Sequence, residues 1–540
     1  MISPRQLAFT TLRDIHKGAY VDVALDRALQ KVNLSDTDRR LVTELVYGCT
    51  RRQRTLDAII DQLGKKKSHQ QPKDLRTIIH LGLYQLQYQE RIPVSAAVNT
   101  TVQLAKENGF SGLTGVVNGL LRQYIRMTGG EEEREKGRGG EKGEKGEDFP
   151  VQNPKSQLPT PNSQIPTPKS QLPNPNSQIP NPNSQIPNPK SQLQNPKSKI
   201  QNPKSKIPIQ LPENPVERLG ILHSFPDWIV QVWVEQFGLA ETEQLCMWMN
   251  KTPAIDLRVN LLRASMSEVE VGLQSAGVSF QHVDRLPQAL RLLSNAGPIQ
   301  NLPGYEQGWW TVQDSSAQLV SHLLDPQSGE TIIDVCAAPG GKTTHITELM
   351  GDKGKIFACD KPGEACAKSD REAALFVHRT PSRVKKLQEN IQRLSLQSIQ
   401  IHIGDSTRDF AEFQNTAHRV LLDAPCSGLG TLHRHADARW RQKPETVEEL
   451  SVLQQQLMAH SSTFVKLNGV LVYSTCTLHP KENEGAIESF LADNPNWEIE
   501  PPGTDSLARP YSTPEGWIKV LPHQHDMDGF FMVRLRKIRN

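Results

Sequence analysis

Two cysteines of this 540-residue chain stand where a thiol could do chemistry. Cys426 follows the strand-like run VLLD through the turn Asp423-Ala424-Pro425, and Cys476 ends the apolar run GVLVYSTC. In an open parallel sheet, sites form outside the carboxyl ends of the strands, so both thiols are expected to face one crevice. A single buried cysteine is usually a small core residue. Two of them after polar turns at one sheet edge point to thiols that react. A third feature precedes them: the run TIIDVC leads through Ala337-Ala338-Pro339-Gly340-Gly341-Lys342 into a helix starting near Thr343. Small residues and two glycines at a strand-to-helix turn let a ligand reach the backbone and the helix N-terminus. The segment is not a phosphate-binding loop of NTPases, because the position that requires glycine holds Cys336.

Acidic residues mark the same edge. Asp360 ends the second strand, KIFACD, twenty residues beyond Gly340, where a carboxylate can bind both hydroxyls of a ribose. The turn lacks the G-x-G-x-x-G form, so S-adenosylmethionine fits better than a dinucleotide. Asp405, after IQIHIG, is then expected by the adenine, and Asp334 or Asp423 near the methionine end, where a carboxylate attracts ammonium and sulfonium charge.

The elements that must position these residues follow from patterning. From about residue 313 apolar strands alternate with helices, the signature of an open, mostly parallel, doubly wound α/β sheet over residues 313–540. Residues 216–312 mix a long helix with short strands and read as a small α+β subdomain. Residues 1–128 read as all-helical, with Leu41, Leu45 and Val46, then Leu56, Ile59, Ile60 and Leu63 at three- and four-residue steps. Ser35 and Asp36 are the expected caps of the segment running to Ile60. Between them, residues 129–215 carry a charged Gly-rich run and a seven-residue repeat (PKSQLPT, PNSQIPT), whose prolines and sparse aliphatics predict a disordered linker.

Composition narrows the class. No run approaches the length of a membrane span, and Arg5, Arg13 and Asp14 interrupt the N-terminal stretch a signal peptide would need. The seven cysteines form no C-x-x-C pair, which argues against a disulfide framework or zinc site and for a reducing cytoplasm. The near-neutral total of +3 hides an asymmetry: 19 Lys and Arg face 11 Asp and Glu in residues 1–127, against 31 and 39 from residue 216 onward. A basic helical front suggests a polyanionic partner, with Arg39, Arg40, Arg51, Arg52 and Arg54 as its expected contact face.

The motifs APGGK, DAPCSG and STCT, in this order and spacing, resemble the RNA 5-methylcytosine methyltransferases. A helical domain like the antitermination factor NusB ahead of them is similar to the Sun/RsmB (Fmu) branch, which modifies a cytosine of small-subunit ribosomal RNA. The likeness covers residues 1–127 and about 216–540. It implies that Cys336, Ala337, Ala338, Pro339, Gly340, Gly341, Lys342, Asp360, Asp405 and Asp423 contact S-adenosylmethionine. It further implies that Cys476 is the nucleophile, that Cys426 helps product release, that Asp528-Gly529-Phe530-Phe531 opens the closing strand, and that Arg258-Val259-Asn260 lies on the RNA side.

The chemistry explains these residue types. C5 of cytosine is a poor nucleophile until a thiolate adds to C6, and Asp423 can then hydrogen-bond the N3 and N4 edge of the base. The base must leave its stack, so single-stranded or openable RNA is the expected substrate. The partners implied are small-subunit ribosomal RNA, no membrane and no metal; a monomer is expected, though sequence does not fix the oligomeric state. Same-chemistry action on tRNA or DNA, or an inactive NusB-like RNA-binding factor, stay open at this level. One departure from the family is an insertion, Lys361 to about Arg379, between the ribose-binding acid and the next helix.

Overall fold

The computed structural model describes residues 2–128, 209–293, 296–361 and 382–539; most of the linker and of the 361–379 insertion lie outside them. The described residues of Met1–Ile125 and Pro208–Asn540 cluster into one compact unit. The front is helical: α1 (Pro4–His16), α2 (Val21–Gln30), α3 (Asp36–Arg51), α4 (Gln53–Leu63), α5 (Lys73–Tyr88), α6 (Val94–Glu107) and α7 (Thr114–Thr128). Ser35 caps α3 as expected, its Oγ accepting the Asp38 N–H at 3.1 Å. The segment expected to run on to Ile60 instead breaks at Arg52, whose N–H still bonds the Gly48 carbonyl before α4 begins. Leu45, Val46, Leu56, Ile59 and Ile60 are fully buried, so the apolar stripes read from the sequence do form the core of the bundle.

A helix at Pro215–His223 and a longer one at Asp227–Trp248 lead into a four-stranded antiparallel sheet. Its strands β1 (Ile255–Val259), β2 (Phe280–His282), β3 (Ala289–Leu292) and β4 (Trp310–Val312) lie in the order β2-β3-β1-β4. The back of the chain holds β5 (Thr331–Asp334), β6 (Lys355–Asp360), β7 (Ile399–Ile403), β8 (Ala417–Asp423), β9 (Val465–Thr475), β10 (Trp497–Ile499), β11 (Ile518–Val520) and β12 (Phe530–Lys537). They form one sheet in the order β10-β12-β9-β8-β5-β6-β7, with β11 on β12. Strands β5 to β9 pair in parallel, and the carboxyl ends of β7, β6, β5 and β8 therefore sit side by side. β12 runs antiparallel beside β9, with Phe531 opposite Thr475, so the turn Asp528-Gly529 arrives next to Cys476. Apolar clusters cover both faces, as a buried parallel sheet requires.

The helical front is joined to the back half through the loop that follows Cys426. Arg439, with no exposed surface, donates to the carbonyls of Arg51, Ser224, Met249 and Leu432 and to Asn250 Oδ1, at 3.0 to 3.4 Å. Arg51 ends α3, Ser224 caps Pro215–His223 and Met249 caps Asp227–Trp248, so three helix C-termini converge on one guanidinium. Unpaired carbonyls and the negative end of each helix dipole make that a favourable place for a cation. Beside it, the Trp440 indole N–H donates to the Thr50 carbonyl at 2.7 Å, and Arg441 donates to the carbonyls of Gly18 and Ala19.

This junction corrects one expectation. Arg51, expected to face a polyanion, is 8% exposed and donates to the His433 carbonyl; Arg54 pairs with Asp227 at 2.7 Å; Arg52 lies 4.9 Å over the Tyr88 ring. Three arginines of the cluster are thus joints and packing elements within the protein. Arg39 and Arg40, about three turns back along α3, are exposed.

Arg439→Met should therefore destabilise the protein by at least ~3 kcal/mol, because several buried carbonyls lose their donor together. Arg439→Lys should recover only part of that. Urea unfolding of the full chain, read by midpoint, checks both.

Candidate active site

Four carboxylates stand at the carboxyl ends of four adjacent strands: Asp334 on β5, Asp360 on β6, Asp405 just past β7 and Asp423 on β8. Each is tied differently. Asp360 Oδ2 accepts the Ala338 N–H at 2.7 Å and so closes the glycine turn from the neighbouring strand. Burial raises its pKa against that hydrogen bond. Asp405 Oδ1 accepts from the N–H and hydroxyl of Thr407, while Lys361 Nζ approaches its other oxygen at 3.9 Å. Asp334 takes the Thr343 hydroxyl on Oδ2 at 2.6 Å, and its Oδ1 is buried with no hydrogen-bond partner. Burial, reinforced by Asp423 and Asp360 and opposed by Thr343, pushes Asp334 up to about 7.

The glycine turn is held from behind. Gly340 adopts φ +99°, a conformation open to glycine but strained for other residues, and starts the helix Gly341–Leu349. Its neighbours' carbonyls are occupied: Arg383 donates to Ala338 O and Asn390 to Pro339 O. The N–H groups of Ala337, Ala338 and Gly340 are also used, by Cys359 O, Asp360 and Ala337 O. What the turn leaves for a ligand is the first N–H groups of the helix, which no helix can satisfy internally. Cys336 is half-buried against the sheet core, and burial raises its thiol pKa.

The two cysteines meet as expected. Cys426 Sγ lies 3.4 Å from Cys476 Sγ, and both are partly exposed. Lys342, assigned to the cofactor from sequence, sends its ammonium to Asp423 Oδ2 at 2.6 Å, with Phe530 5.1 Å below it. Asp423 Oδ1 accepts the Ser474 hydroxyl at 2.8 Å. The hydrogen bond from Cys426, helped by the charge of Lys342, lowers the Cys476 pKa against burial and Asp423; Cys426 is raised by that same bond, by burial and by Glu482. Both shifts run in the direction that favours negative charge on Cys476.

Backbone packing fixes Cys476. The Gly430 N–H donates to Cys476 O at 3.0 Å and the Gly529 N–H to Gly430 O at 2.9 Å. A Cβ at Gly430 would sit 2.1 Å from Gly529 O, so this close approach requires glycine. Arg434 holds the arrangement by clamping Asp528 at 2.8 Å, Asp314 at 2.8 Å and the Ala254 carbonyl at 2.8 Å. Burial pushes Asp314 up to about 7, with Asp528 adding and Arg434 opposing.

Three site features were illegible in the sequence or lie elsewhere than it suggested. Arg258, expected on the RNA side, is fully buried and bonds Glu348 through Nε (2.9 Å) and Nη2 (2.7 Å), plus Thr344 and the Gly341 carbonyl. It braces the glycine-turn helix from the small sheet. Glu482, which the charged run HPKENEG disguises as a surface residue, has no exposed surface and sits behind both cysteine turns. Arg434 gave no local signal at all. Among the described residues no cluster of metal-ligating side chains occurs, and no helix is long and apolar enough to cross a membrane.

Since an adjacent cation favours the charged form of a thiol, removing it should raise the pKa. An ultraviolet thiolate titration of the protein minus that of Cys476→Ala should show a step below the range of an unperturbed thiol, and Lys342→Met should move the step upward.

Comparison with known proteins agrees with this architecture. Residues 321–536 match the model of 16S rRNA methyltransferase RsmB/F, residues 2–126 that of the NusB family, and residues 225–300 the Methyltr_RsmF/B-like, ferredoxin-like domain. The chain is 44% identical, over 99% of its length and 100% of the relative's, to the probable ribosomal RNA small subunit methyltransferase B of Synechocystis. It is 30% identical, over 94% of its length and 92% of the relative's, to ribosomal RNA small subunit methyltransferase B of Yersinia pseudotuberculosis. The crystal structure of PH0851 shares the fold, with a TM-score of 0.68 at 23% identity over 99% of both chains. A methyltransferase homolog protein from Pyrococcus horikoshii matches at TM-score 0.50 and 25% identity, covering 61% of this chain and 100% of its own. With a helical front, a small antiparallel sheet and a methyltransferase sheet all matched in chain order, the chain belongs to the RsmB/F family of 16S rRNA methyltransferases.

Proposed function

We propose that the protein transfers a methyl group from S-adenosylmethionine to C5 of a cytosine in small-subunit ribosomal RNA, through a covalent bond between Cys476 and C6. The observation that carries this reading is the pair of thiols 3.4 Å apart at the carboxyl edge of the sheet, beside Lys342 and Asp423. A protein that only bound RNA would have no need of two thiols in contact at the sheet edge, which disfavours the inactive-factor alternative.

The residues at the edge fit the cofactor. The orphaned Asp334 oxygen and the helix N-terminus at Gly341 offer an acceptor and donors for its ammonium and carboxylate. Asp360 retains lone pairs for ribose hydroxyls, and Asp405 stands one strand further out, toward the adenine. When bound, S-adenosylmethionine supplies an electrophilic methyl on sulfur. The chain supplies the rest. The Cys476 thiolate adds to C6, and the Lys342–Asp423 pair faces the N3 and N4 edge, where it can deliver the proton that neutralises the forming adduct. C5, now enamine-like, attacks the methyl group, whose bond to the sulfonium sulfur breaks and leaves a neutral thioether. Cys426, adjacent to Cys476, assists transfer of the C5 proton to water; the C6–S bond then breaks, returning Cys476 as thiolate, and the methylated base gives its extra ring proton back to the Lys342–Asp423 pair as it is released.

In this reading residues 1–128 and 216–312 serve RNA binding, 313–540 methyl transfer and 129–215 as a tether. The enzyme is cytoplasmic and needs neither metal nor membrane.

The test uses small-subunit ribosomal RNA from cells lacking the enzyme. Cys426→Ser with S-adenosylmethionine should leave a band of linked protein and RNA on a denaturing gel, and Cys476→Ser should give neither band nor 5-methylcytosine. The reverse pattern would move the nucleophile to Cys426, and full turnover by both variants would overturn covalent catalysis. Separately, Asp360→Ala should weaken S-adenosylmethionine binding by about 1 to 3 kcal/mol in calorimetry, as the ribose hydroxyls lose a buried acceptor.

A further inference from the structure

Behind the cysteine pair lies a carboxylate that the reaction scheme does not use. Glu482 Oε1 accepts the Ser427 N–H at 2.8 Å and the Gln454 amide at 3.0 Å, and Oε2 accepts the Ser427 hydroxyl. Ser427 directly follows Cys426. The same hydroxyl meets Thr477 Oγ1 at 2.8 Å, and Thr477 directly follows Cys476. The Glu482 backbone is fixed as well, its carbonyl accepting the Tyr473 hydroxyl at 2.6 Å from within β9. One side chain thereby ties together the turns that carry both thiols.

The arrangement also sets charge. A backbone N–H and an amide N–H can only donate, so Oε1 must act as acceptor for both. The Ser427 hydroxyl can donate to Oε2 while accepting from Thr477. Burial raises the Glu482 pKa, and the hydrogen bonds from Ser427 and Gln454 oppose it, since a network in which every hydrogen can point at the carboxylate favours its ionised, acceptor-only form. The carboxylate is bonded directly to the N–H and hydroxyl of Ser427, the neighbour of Cys426, whereas the ammonium of Lys342 pairs with Asp423. Once one of two thiols in contact has lost its proton, the remaining proton is shared between the sulfurs, and a low-dielectric setting makes the placement of nearby charges decisive.

We infer that Glu482 assigns the roles of the two cysteines: as a positioning residue, it holds Cys426 as a thiol directed at Cys476, and so leaves the reactive negative charge on Cys476. The raised pKa of Cys426, to which Glu482 contributes, agrees with this geometry. No bond changes in this step; the proton shared by the sulfurs resides on Cys426 in the free enzyme. The inference rests on the reading of Cys476 as nucleophile but is tested without RNA.

The full-length protein is alkylated with limiting iodoacetamide near neutral pH, and the peptides bearing residues 426 and 476 are quantified by mass spectrometry. In the wild type Cys476 should react at least ~10-fold faster than Cys426, since the thiolate is the nucleophile. Glu482→Gln, close in shape but neutral, should shrink that ratio about 10-fold, and Glu482→Asp should keep most of it. Thermal unfolding confirms that the variants are folded. An unchanged ratio in folded Glu482→Gln would overturn the inference and make Glu482 a strut only. If Glu482→Gln does not fold, Gln454→Leu, which removes one donor that keeps the carboxylate ionised, should shrink the ratio roughly twofold to threefold, and no change there overturns it equally. Failure of this experiment leaves the adduct test of Cys476 standing, and failure of the adduct test leaves the alkylation ratio interpretable.

Discussion

The guanidinium of Arg439 is the point on which the assembly of this protein turns. A buried arginine with no carboxylate beside it would be costly, yet here five acceptors from four chain segments surround it. Three of those segments are helix ends that would otherwise bury their own orphaned carbonyls. The two terminal nitrogens of the guanidinium and the helix-end dipoles satisfy each other, while Nε stays buried without a hydrogen-bond partner. Because Arg439 belongs to the loop that begins at Cys426, the helical front is fastened to the chain that carries one of the two thiols.

The same economy of charge governs the sheet edge. Four strand-end carboxylates and two thiols crowd a crevice that would repel itself if all were ionised. Lys342 takes up Asp423, the Ala338 N–H takes up Asp360, Thr407 takes up Asp405, and the Thr343 hydroxyl satisfies one oxygen of Asp334. The exception is the other oxygen of Asp334, buried and without a hydrogen-bond partner. Arg434 performs a similar service behind Cys476, where Asp314 and Asp528 lie side by side only because it bridges them. Two cations, Lys342 and Arg434, thus pair with the carboxylates on either side of Cys476.

Much of this was legible in the sequence, because its determinants are local. The runs TIIDVC, KIFACD and GVLVYSTC are continuous apolar strands bounded by polar turns, and a parallel sheet brings their ends to one edge whatever the loops do. Asp360, Asp405, Asp423 and both cysteines could be placed by that rule alone. So could the helical front, where Ser35 and the apolar stripe of α3 act within a few residues of each other. What tertiary structure alone decided depends on partners far away in the chain. Arg51 reads as a basic surface residue until His433 is packed beside it, 382 positions later. Arg258, which the resemblance puts on the RNA side, is instead paired with Glu348, 90 positions on. Glu482 reads as the exposed start of a helix until the β8 turn folds over it and delivers Ser427. A charged side chain carries the same letter in water and in a core, and only the groups that desolvate and pair it determine which it is.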